Sequence, residues 1–399
     1  MRQNKEKNIK QNKKSKKEDI SSKNKKNTKK EKSIKRSFIK LIILLLILAL
    51  IAIISFLCFK AYTFTTLAIE MFNNTPSTVY DNNKNVISQI GIERNRENVD
   101  FSNIPEYLKN AYVSIEDQRF YKHHGVDIKR TGAAIISYIS KRGSSSFGGS
   151  TITQQLVKNL TGDDSNSIFR KVKEWFYAWT LESSFSKDEI LEAYLNIIYT
   201  GPNIYGVQEA SHYYFNKDIK NLSLAECAFL AGINNAPNSY NPFSETDRTE
   251  KITNRTKTVL NKMLDLNYIS QEEYDAAISE VNNCLQFHKG EIITNSSVYS
   301  YHTDALINEI VSDLSKRKYI SQDFATNYFY MSGSNIYSTE NTEIQKTLEK
   351  EFKNNKYILK SSNGKDTSQA AMVIIDHSTG YVVACSRRSR RKNIFKMFQ

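Results

Sequence analysis

The chain has 399 residues, a length that predicts two or three domains, and a formal net charge of +14 at pH 7. Residues 1–40 hold 17 Lys/Arg and 4 Asp/Glu, so they carry +13 of that charge, and a near-neutral remainder argues against a nucleic-acid-binding protein. The four cysteines, Cys58, Cys227, Cys284 and Cys385, do not have the pattern of a disulfide framework.

The N-terminal segment joins a basic stretch to an apolar run. Residues 1–37 are dense in like charge and poor in apolar side chains, which predicts a disordered cytoplasmic tail. The uncharged run from Leu41 to Phe59 is long enough to cross a bilayer and too long for a cleaved signal peptide. We therefore predict a transmembrane signal-anchor helix at 38–60. The Lys/Arg excess before it predicts that the N-terminus is cytoplasmic and that everything from Lys60 onward lies outside the cell membrane.

Residues 61–100 are interpreted as an extended connector. Within it, Ser77–Tyr80 and Val86–Ile90 are strand-like runs around a turn-forming segment, which predicts a hairpin. From about residue 101 to 245 apolar residues recur at helical spacing, which predicts a helical domain.

The first stretch with chemical potential is Glu116–Gly125, at the end of an apolar helix that begins near Ile104–Pro105. Partial burial at such a helix end disfavours the charged form of a carboxylate, which suits a general base. The alternative is a solvated acidic helix end. His123 and His124 are interpreted as structural histidines that hold the following loop.

A second stretch runs from Gly148 to Asn159. Its two glycines permit a tight turn and the close approach of a ligand. Thr151 and Gln154 have the spacing of a capping box, so a helix is predicted to start there, with N–H groups that suit a phosphate. Lys158, two turns further on, adds a positive charge. The alternative is a glycine hinge before an ordinary helix.

The segment before these glycines is apolar at Ala133–Ile139 and then basic and Ser-rich at Lys141–Ser146. It fits two structures equally well. One is a segment that lies in the membrane surface. The other is a core helix followed by a surface loop.

A third stretch is an amphipathic helix from Ser167 to about Ser183. Its charged face holds Arg170, Lys171 and Glu174. The first and last of these are four apart and form either a plain surface salt bridge or part of a cleft for a charged substrate. The apolar face consists of Ile168, Val172, Trp175, Phe176 and Trp179.

Three further helices are predicted from capping boxes. They start at Ser186, Ser223 and Ser270. Near the C-terminus, Gln369–Asp376 and Gly380–Cys385 are predicted to be two strands that open a second domain.

Together these stretches resemble the peptidoglycan glycosyltransferase domain of the class A penicillin-binding proteins, over roughly residues 75–265. Five motifs of that family occur in order: E-D-x-x-F-x-x-H-x-G at Glu116, Asp117, Phe120, His123 and Gly125; G-G-S-T-I-T-Q-Q-L-x-K-N from Gly148 to Asn159; R-K-x-x-E at Arg170, Lys171 and Glu174; Lys187 to Asn196; and the helix Leu222–Gly232.

The resemblance implies a mainly α, lysozyme-like domain at 101–265 beside the membrane, with lipid II as the substrate and extension of a glycan strand as the reaction. It implies Glu116 as the catalytic base, and Glu174 as a catalytic residue that orients the donor or a divalent cation (Mg²⁺ or Mn²⁺) on the diphosphate. No organic cofactor is expected. The expected partners are lipid II, the nascent glycan strand, the membrane and other cell-wall synthesis proteins. The implied substrate-binding residues are Asp117, Phe120, His123, Gly149, Ser150, Thr151, Gln154, Gln155, Lys158, Asn159, Arg170 and Lys171.

The family also carries a transpeptidase domain with a nucleophilic serine in S-x-x-K. Here residues 266–365 are interpreted as a linker region and 366–399 as the truncated start of that domain, a small α/β remnant, so transpeptidase activity is expected to be absent. The S-x-x-K matches at Ser184–Lys187 and Ser362–Lys365 lack the partner motifs, and we interpret them as chance. The basic tail after Cys385 suggests a frameshift or truncation. Two alternatives stay open: a lysozyme-like glycan hydrolase, which usually needs two facing carboxylates, and an inactive truncated scaffold.

Overall fold

The computed structural model describes residues 2–72, 75–90, 97–133, 149–165, 167–291, 299–354 and 370–388, with side chains described from residue 36 onward. The chain divides into two compact units, Met1–Lys60 and Ala61–Gln399. Several sequence predictions fall outside the described residues: Gly148, nearly all of the Ala133–Ser146 segment, and the S-x-x-K match at Ser362–Lys365.

The helices of the described residues are α1 (Arg2–Phe72), α2 (Glu106–Glu116), α3 (Ile152–Thr161), α4 (Ile168–Ser184), α5 (Lys187–Ile197), α6 (Val207–Phe215), α7 (Leu224–Ile233), α8 (Thr249–Asp265), α9 (Gln271–Asn282), α10 (Tyr301–Lys318), α11 (Gln322–Met331) and α12 (Thr342–Lys353). Residues 128–133 are also helical. The strands are β1 (Ser77–Tyr80), β2 (Val86–Ile90), β3 (Tyr199–Gly201), β4 (Ile204–Tyr205), β5 (Asn335–Tyr337), β6 (Ala370–Ile375) and β7 (Val382–Arg388).

Helix α1 contains the predicted membrane span. Its part from Arg36 to Phe72 has a mean hydropathy of 3.4 in its most apolar window, and it is long and apolar enough to cross a bilayer. The helix also extends back through the basic segment to Arg2, where the charge density predicts disorder. Lysine and glutamate are good helix formers, and they continue here the backbone of the apolar helix.

The last three turns of α1 belong to the core of the second unit. Ala61, Phe64, Ala68 and Met71 are all buried, at the three- and four-residue spacing of one helix face. The Phe64 ring stacks on Tyr177 with 4.5 Å between centroids. The first residues of the predicted extended connector are therefore helical, because their apolar periodicity lets them bury a helix face.

The core of the second unit surrounds α7. Every residue of this helix from Ala225 to Ile233 is buried, which explains why its sequence is apolar on all sides. Helices α2 and α8 pack against it. The four predicted capping boxes, at Thr151, Ser186, Ser223 and Ser270, are all present and start α3, α5, α7 and α9.

The predicted hairpin of β1 and β2 is present and antiparallel. Strand β1 also pairs in parallel with β5, with Thr78 opposite Asn335. At the start of β1 the buried Ser77 hydroxyl donates to the Phe329 carbonyl oxygen at 2.6 Å. Residues of the predicted linker region therefore complete the same compact unit as the N-terminal hairpin.

The second predicted strand pair, β6 and β7, is also an antiparallel hairpin. Strand β7 is held by side chains of the preceding helices: His302 of α10 donates through Nε2 to the Val382 carbonyl oxygen at 3.0 Å, and Gln345 of α12 exchanges two hydrogen bonds of 2.9 Å with the Cys385 backbone. Burial lowers the pKa of His302, but its bonds to Glu340 and to Val382 outweigh that effect and place the pKa above its usual value.

Candidate active site

Glu116, the predicted base, is the last residue of α2 and is half-buried. Its Oε2 accepts a hydrogen bond from Gln155 Nε2 at 2.8 Å, and its Oε1 accepts one from Asn234 Nδ2 at 3.1 Å. Arg130 NH1 donates to its main-chain oxygen at 2.7 Å. The carboxylate is thus fixed by two neutral donors and keeps lone pairs for a further proton donor.

The side-chain partners of Glu116 come from separate parts of the chain. Gln155 lies in α3, in the motif that the sequence singles out. Asn234 follows α7 directly, at the point where the sequence indicates only the end of a helix. Tyr194 of α5, which the sequence places in the core, bonds to both amides. Tyr194 lies within the fourth family motif, Lys187 to Asn196, but that motif does not indicate its role, and no signal in the sequence marks Asn234. Both roles depend on how four helices meet.

Asp117, Phe120 and His123 lie behind this site. Their exposed fractions are 0%, 0% and 7%. His123 Nε2 lies 2.8 Å from Asp117 Oδ2, as expected of a histidine that holds a loop. The expectation that these three residues contact substrate does not fit this burial; they instead support the elements that carry Glu116 and α3.

The N-terminus of α3 is capped from within the protein. Asp117 Oδ2 accepts from the Ile152 backbone N–H at 3.1 Å, and Thr151 Oγ1 accepts from the Gln154 N–H at 3.1 Å. Thr151 is fully buried and donates its own hydroxyl proton to the Gly125 carbonyl oxygen at 2.6 Å. The predicted phosphate site at this helix start is therefore wrong for these two N–H groups, because a carboxylate already occupies the positive end of the helix.

Glu174 is the centre of a buried charged cluster. Its side chain is only 5% exposed. Oε2 accepts from Arg170 NH1 at 2.6 Å, and Oε1 accepts from Lys171 Nζ and from Gln154 Nε2, the latter at 2.8 Å. Burial excludes the plain surface salt bridge that the sequence left open, since the pair faces the protein interior.

Ser150, Gly149 and the cations form one side of this cluster. Lys171 Nζ donates to Ser150 Oγ at 2.7 Å, which ties α4 to the loop before α3. Gly149 is buried next to it. Each of the two cationic side chains is 19% exposed, so they reach the surface while Glu174 does not.

Helix α3 joins Glu116 to the charged cluster. Its neighbouring residues Gln154 and Gln155 bond to Glu174 and Glu116 respectively. Lys158 follows Gln155 by one turn, so it shares that face of the helix. Its ammonium group is exposed and pairs with Asp164 Oδ1 at 2.8 Å. Asn159 is exposed as well. The structure thus brings together Glu116, Gln155, Gln154, Glu174, Arg170, Lys171 and Ser150.

The burial of α4 does not follow the predicted division into a buried apolar face and an exposed charged face. The buried residues include Glu174, while Ile168 and Trp179 of the apolar face are 86% and 60% exposed. Phe169 is also 60% exposed. Large apolar side chains exposed in this way mark a surface that contacts something other than water.

The described residues offer no ready-made site for a divalent cation. Among them, no three His, Cys, Asp or Glu side chains are close enough to hold a metal ion. Both oxygens of Glu174 are engaged by Arg170, Lys171 and Gln154. Glu174 in this arrangement does not fit the ligand role expected of it, and cations already lie where the metal was expected.

Comparisons with known proteins give a consistent set of relatives. A family model described as "Transglycosylase" matches residues 83–264. Penicillin-binding protein 1A of Clostridium botulinum (strain Hall) is 42% identical over 315 residues, which cover 77% of this chain and 38% of that protein. Penicillin-binding protein 1A of Clostridium perfringens (strain 13) is 38% identical, covering 78% of this chain and 48% of that protein.

A third relative, penicillin-binding protein 1F of Bacillus subtilis (strain 168), is 35% identical and covers 77% of this chain and 40% of its own length. The chain thus spans less than half the length of these relatives. The crystal structure of penicillin-binding protein 1A from Haemophilus influenzae matches with 22% identity and a TM-score of 0.30, over 74% of this chain and 33% of that one, a likeness too distant to bear on the fold.

Proposed function

Residues 83–264 make this chain a member of the transglycosylase family, and from that membership we propose that it is a membrane-anchored peptidoglycan glycosyltransferase that polymerises lipid II into glycan strands. The observation that carries the proposal is the geometry around Glu116. The single carboxylate of Glu116 is held by neutral amides, one of them from Gln155 of α3. The neighbouring residue on α3, Gln154, contacts a cluster of two cations and one anion. That pairing suits a reaction that needs one base and stabilisation of a departing anion.

In the proposed reaction Glu116 takes the proton from the 4-hydroxyl of the acceptor sugar. The freed oxygen attacks the anomeric carbon of the donor, with inversion, and the bond from that carbon to the lipid-linked diphosphate breaks. Glu116 ends the step protonated, and the diphosphate leaves as an anion. Because this leaving group is already a stable anion, it needs positive charge more than a second acid.

Arg170 and Lys171 supply that charge. With Glu174 they form a cluster of net charge +1 whose cations reach the surface. Lys158, exposed on α3, adds a further cation on the same side of the proposed donor site.

The same cluster argues against the hydrolase alternative. Such an enzyme uses a pair of carboxylates on either side of the scissile bond. The second carboxylate here, Glu174, is buried and neutralised by Arg170 and Lys171, so it cannot activate a water molecule or a nucleophilic attack on the sugar.

We further propose the orientation of the protein in the membrane. The basic segment at the start of α1 keeps the N-terminus in the cytoplasm, and the second unit then lies on the outer side. The exposed Ile168, Phe169 and Trp179 of α4 would face the lipid interface, where aromatic and aliphatic side chains are stable. A substrate with a lipid tail would reach the cations of the same helix from the bilayer.

Within this chain we propose no transpeptidase chemistry. Of the two S-x-x-K matches named above, Ser184–Lys187 lies in the described residues, and its lysine is paired with Glu182 at 2.7 Å. Its Ser184 hydroxyl donates to the Thr180 carbonyl oxygen at 3.2 Å, within the last turn of α4. A labelled β-lactam that acylates the chain would contradict this part of the proposal.

The test is polymerisation of labelled lipid II by the detergent-solubilised protein. Glu116→Gln should lower the rate by at least about 100-fold, since general bases contribute roughly 10² to 10⁴. Glu272→Gln, an exposed glutamate in the first turn of α9, is the matched control and should polymerise normally. Near-normal turnover by Glu116→Gln would refute the assignment. An inactive wild-type chain would favour the scaffold alternative, and release of sugars from purified cell wall would favour the hydrolase.

A further inference from the structure

Four side chains, those of Glu116, Gln155, Tyr194 and Asn234, form a closed ring of hydrogen bonds. Gln155 Nε2 donates to Glu116 Oε2 at 2.8 Å, and Tyr194 Oη donates to Gln155 Oε1 at 2.9 Å. Asn234 Nδ2 donates both to Tyr194 Oη at 2.8 Å and to Glu116 Oε1 at 3.1 Å. The ring therefore joins the C-terminal ends of α2 and α7 with the middle of α3 and of α5.

The donors and acceptors in this ring fit together in one direction only. A tyrosine hydroxyl has a single proton, and here Gln155 Oε1 receives it. The Gln155 amide must then turn its NH₂ group toward Glu116. A flipped amide would place its oxygen against the carboxylate and its NH₂ group against the Tyr194 hydroxyl, whose proton would then lose its acceptor. Tyr194 thus supports the orientation of Gln155 in which the amide donates to Glu116.

The environment keeps the Tyr194 proton in place. The Tyr194 side chain is fully buried, and burial together with the negative charge of Glu116 raises its pKa well above the ordinary value. The hydroxyl is therefore a permanent donor over the whole range in which a carboxylate titrates. Asn234, by contrast, is only partly buried, so a smaller side chain can be tolerated there.

We propose that Tyr194 and Asn234 are positioning residues of the glycosyl transfer, which orient the Glu116 carboxylate through the closed ring with Gln155. This inference rests on the proposed function, in which Glu116 is the base. Neither residue needs to touch the substrate. Gln155, expected to contact sugar or phosphate, has its oxygen and one N–H committed to the ring and acts mainly through Glu116.

Other titratable or charged groups near Glu116 do not share this role. Tyr112 on α2 has its pKa raised well above the ordinary value by burial. Arg130 contacts the main-chain oxygen of Glu116 and stays charged. Asp117 faces His123 and the start of α3. The variants of Tyr194 and Asn234 described below leave all four of these groups in place, so their contribution is the same in those variants and in the wild-type protein.

The test compares the full-length variants Tyr194→Phe and Asn234→Ala in lipid II polymerisation over a range of pH. Each should lower kcat by about tenfold to a hundredfold with little change in KM. Each should also displace the acidic limb of the kcat profile from its wild-type position, because a hydrogen bond that orients the Glu116 carboxylate is lost or weakened. Asn234→Gln, which retains the amide donor, should recover part of the rate.

Tyr112→Phe is the matched control. This buried tyrosine packs edge-on against Tyr194, with 6.1 Å between ring centroids, and donates to the Leu230 carbonyl oxygen at 3.0 Å. The substitution removes a buried tyrosine hydroxyl from the same region but leaves the hydrogen-bonded ring around Glu116 closed. It should keep the acidic limb where it is in the wild-type protein, whatever it does to stability.

The outcomes separate this inference from the proposed function. If Glu116→Gln retains activity, the proposed base is wrong and the ring has no catalytic role. If Glu116→Gln is inactive while the pH profiles of Tyr194→Phe and Asn234→Ala superimpose on that of Tyr112→Phe, the base stands and the positioning role is refuted. Should Tyr194→Phe fail to fold, the partly buried Asn234→Ala decides the matter alone.

Discussion

Replacing Glu174 by alanine would leave Arg170 and Lys171 side by side without their shared acceptor. Breaking a buried ion pair by removing one partner usually costs about 3–5 kcal/mol. Because the two cations are each 19% exposed, water can recover part of that loss, and we expect the lower end, about 3 kcal/mol. Gln154 Nε2 loses its acceptor as well, and because Gln154 belongs to the capping box of α3, the substitution also weakens the start of that helix.

The structure provides a matched control for this measurement. Asp313 and Arg317 of α10 form an ion pair with the same four-residue spacing and a comparable distance of 2.8 Å, but their side chains are 50% and 78% exposed. Asp313→Ala should therefore cost less than about 1 kcal/mol. The two variants differ in burial and in the number of partners lost, so their difference measures the contribution of the buried cluster as a whole.

Thermal unfolding of the detergent-solubilised protein is the assay. For a unit larger than 250 residues we take about 2 °C per kcal/mol, so Glu174→Ala should lower Tm by about 6 °C and Asp313→Ala by less than about 2 °C. Equal shifts in the two variants would refute the view that burial makes the Glu174 cluster a structural element. Glu174→Gln, which retains one acceptor but no charge, should fall between them.

Three further predictions concern other parts of the molecule. His302→Gln should lower Tm at about pH 5.5 and have little effect at about pH 9, and thermal melts at both pH values measure this. A histidine whose pKa is raised in the folded state stabilises the fold fully when the pH is below its pKa in the unfolded state. That stabilisation disappears as the pH rises through the pKa of the folded state. Gly125→Ala should destabilise by about 2 kcal/mol or more, since φ is +76° and the added Cβ would lie 2.5 Å from a carbonyl oxygen, whereas Gly132→Ala, with open space around it, should not. Trp175 and Trp179 are the only tryptophans of the chain, so a Trp175→Phe variant reports the fluorescence of Trp179 alone. In bromine-labelled lipids that fluorescence should be quenched, and unchanged emission would contradict the lipid-facing surface of α4.

The local signals in the sequence were sufficient for most helix starts and for both hairpins. Capping boxes need only the first turn of a helix, so the starts at Thr151, Ser186, Ser223 and Ser270 are all confirmed. The hairpins depend on neighbouring residues in the same way. The mainly helical fold with an apolar N-terminal helix is confirmed too, and residues 83–264 match the transglycosylase family model.

The errors arise where tertiary context overrides a local pattern. Periodicity shows which residues of α4 share a face but not which of them the protein buries, and Glu174 is buried together with Tyr177, Ala178 and Leu181. A free helix N-terminus suits an anion, but the sequence could not show that Asp117 already fills that position at α3. The ring partners Tyr194 and Asn234 were missed for the same reason, since their spacing in the chain carries no pattern.

The parallel pairing of β1 with β5 has a consequence for synthesis of the protein. Ser77 and its partner Phe329 are 252 positions apart, so at about 5–20 residues per second a ribosome needs roughly 10 to 50 seconds to supply the missing partner. Throughout that time the nascent chain exposes an open strand edge, which invites pairing with other chains. A recombinant fragment that stops at residue 264, where the family match ends, would keep that edge open permanently.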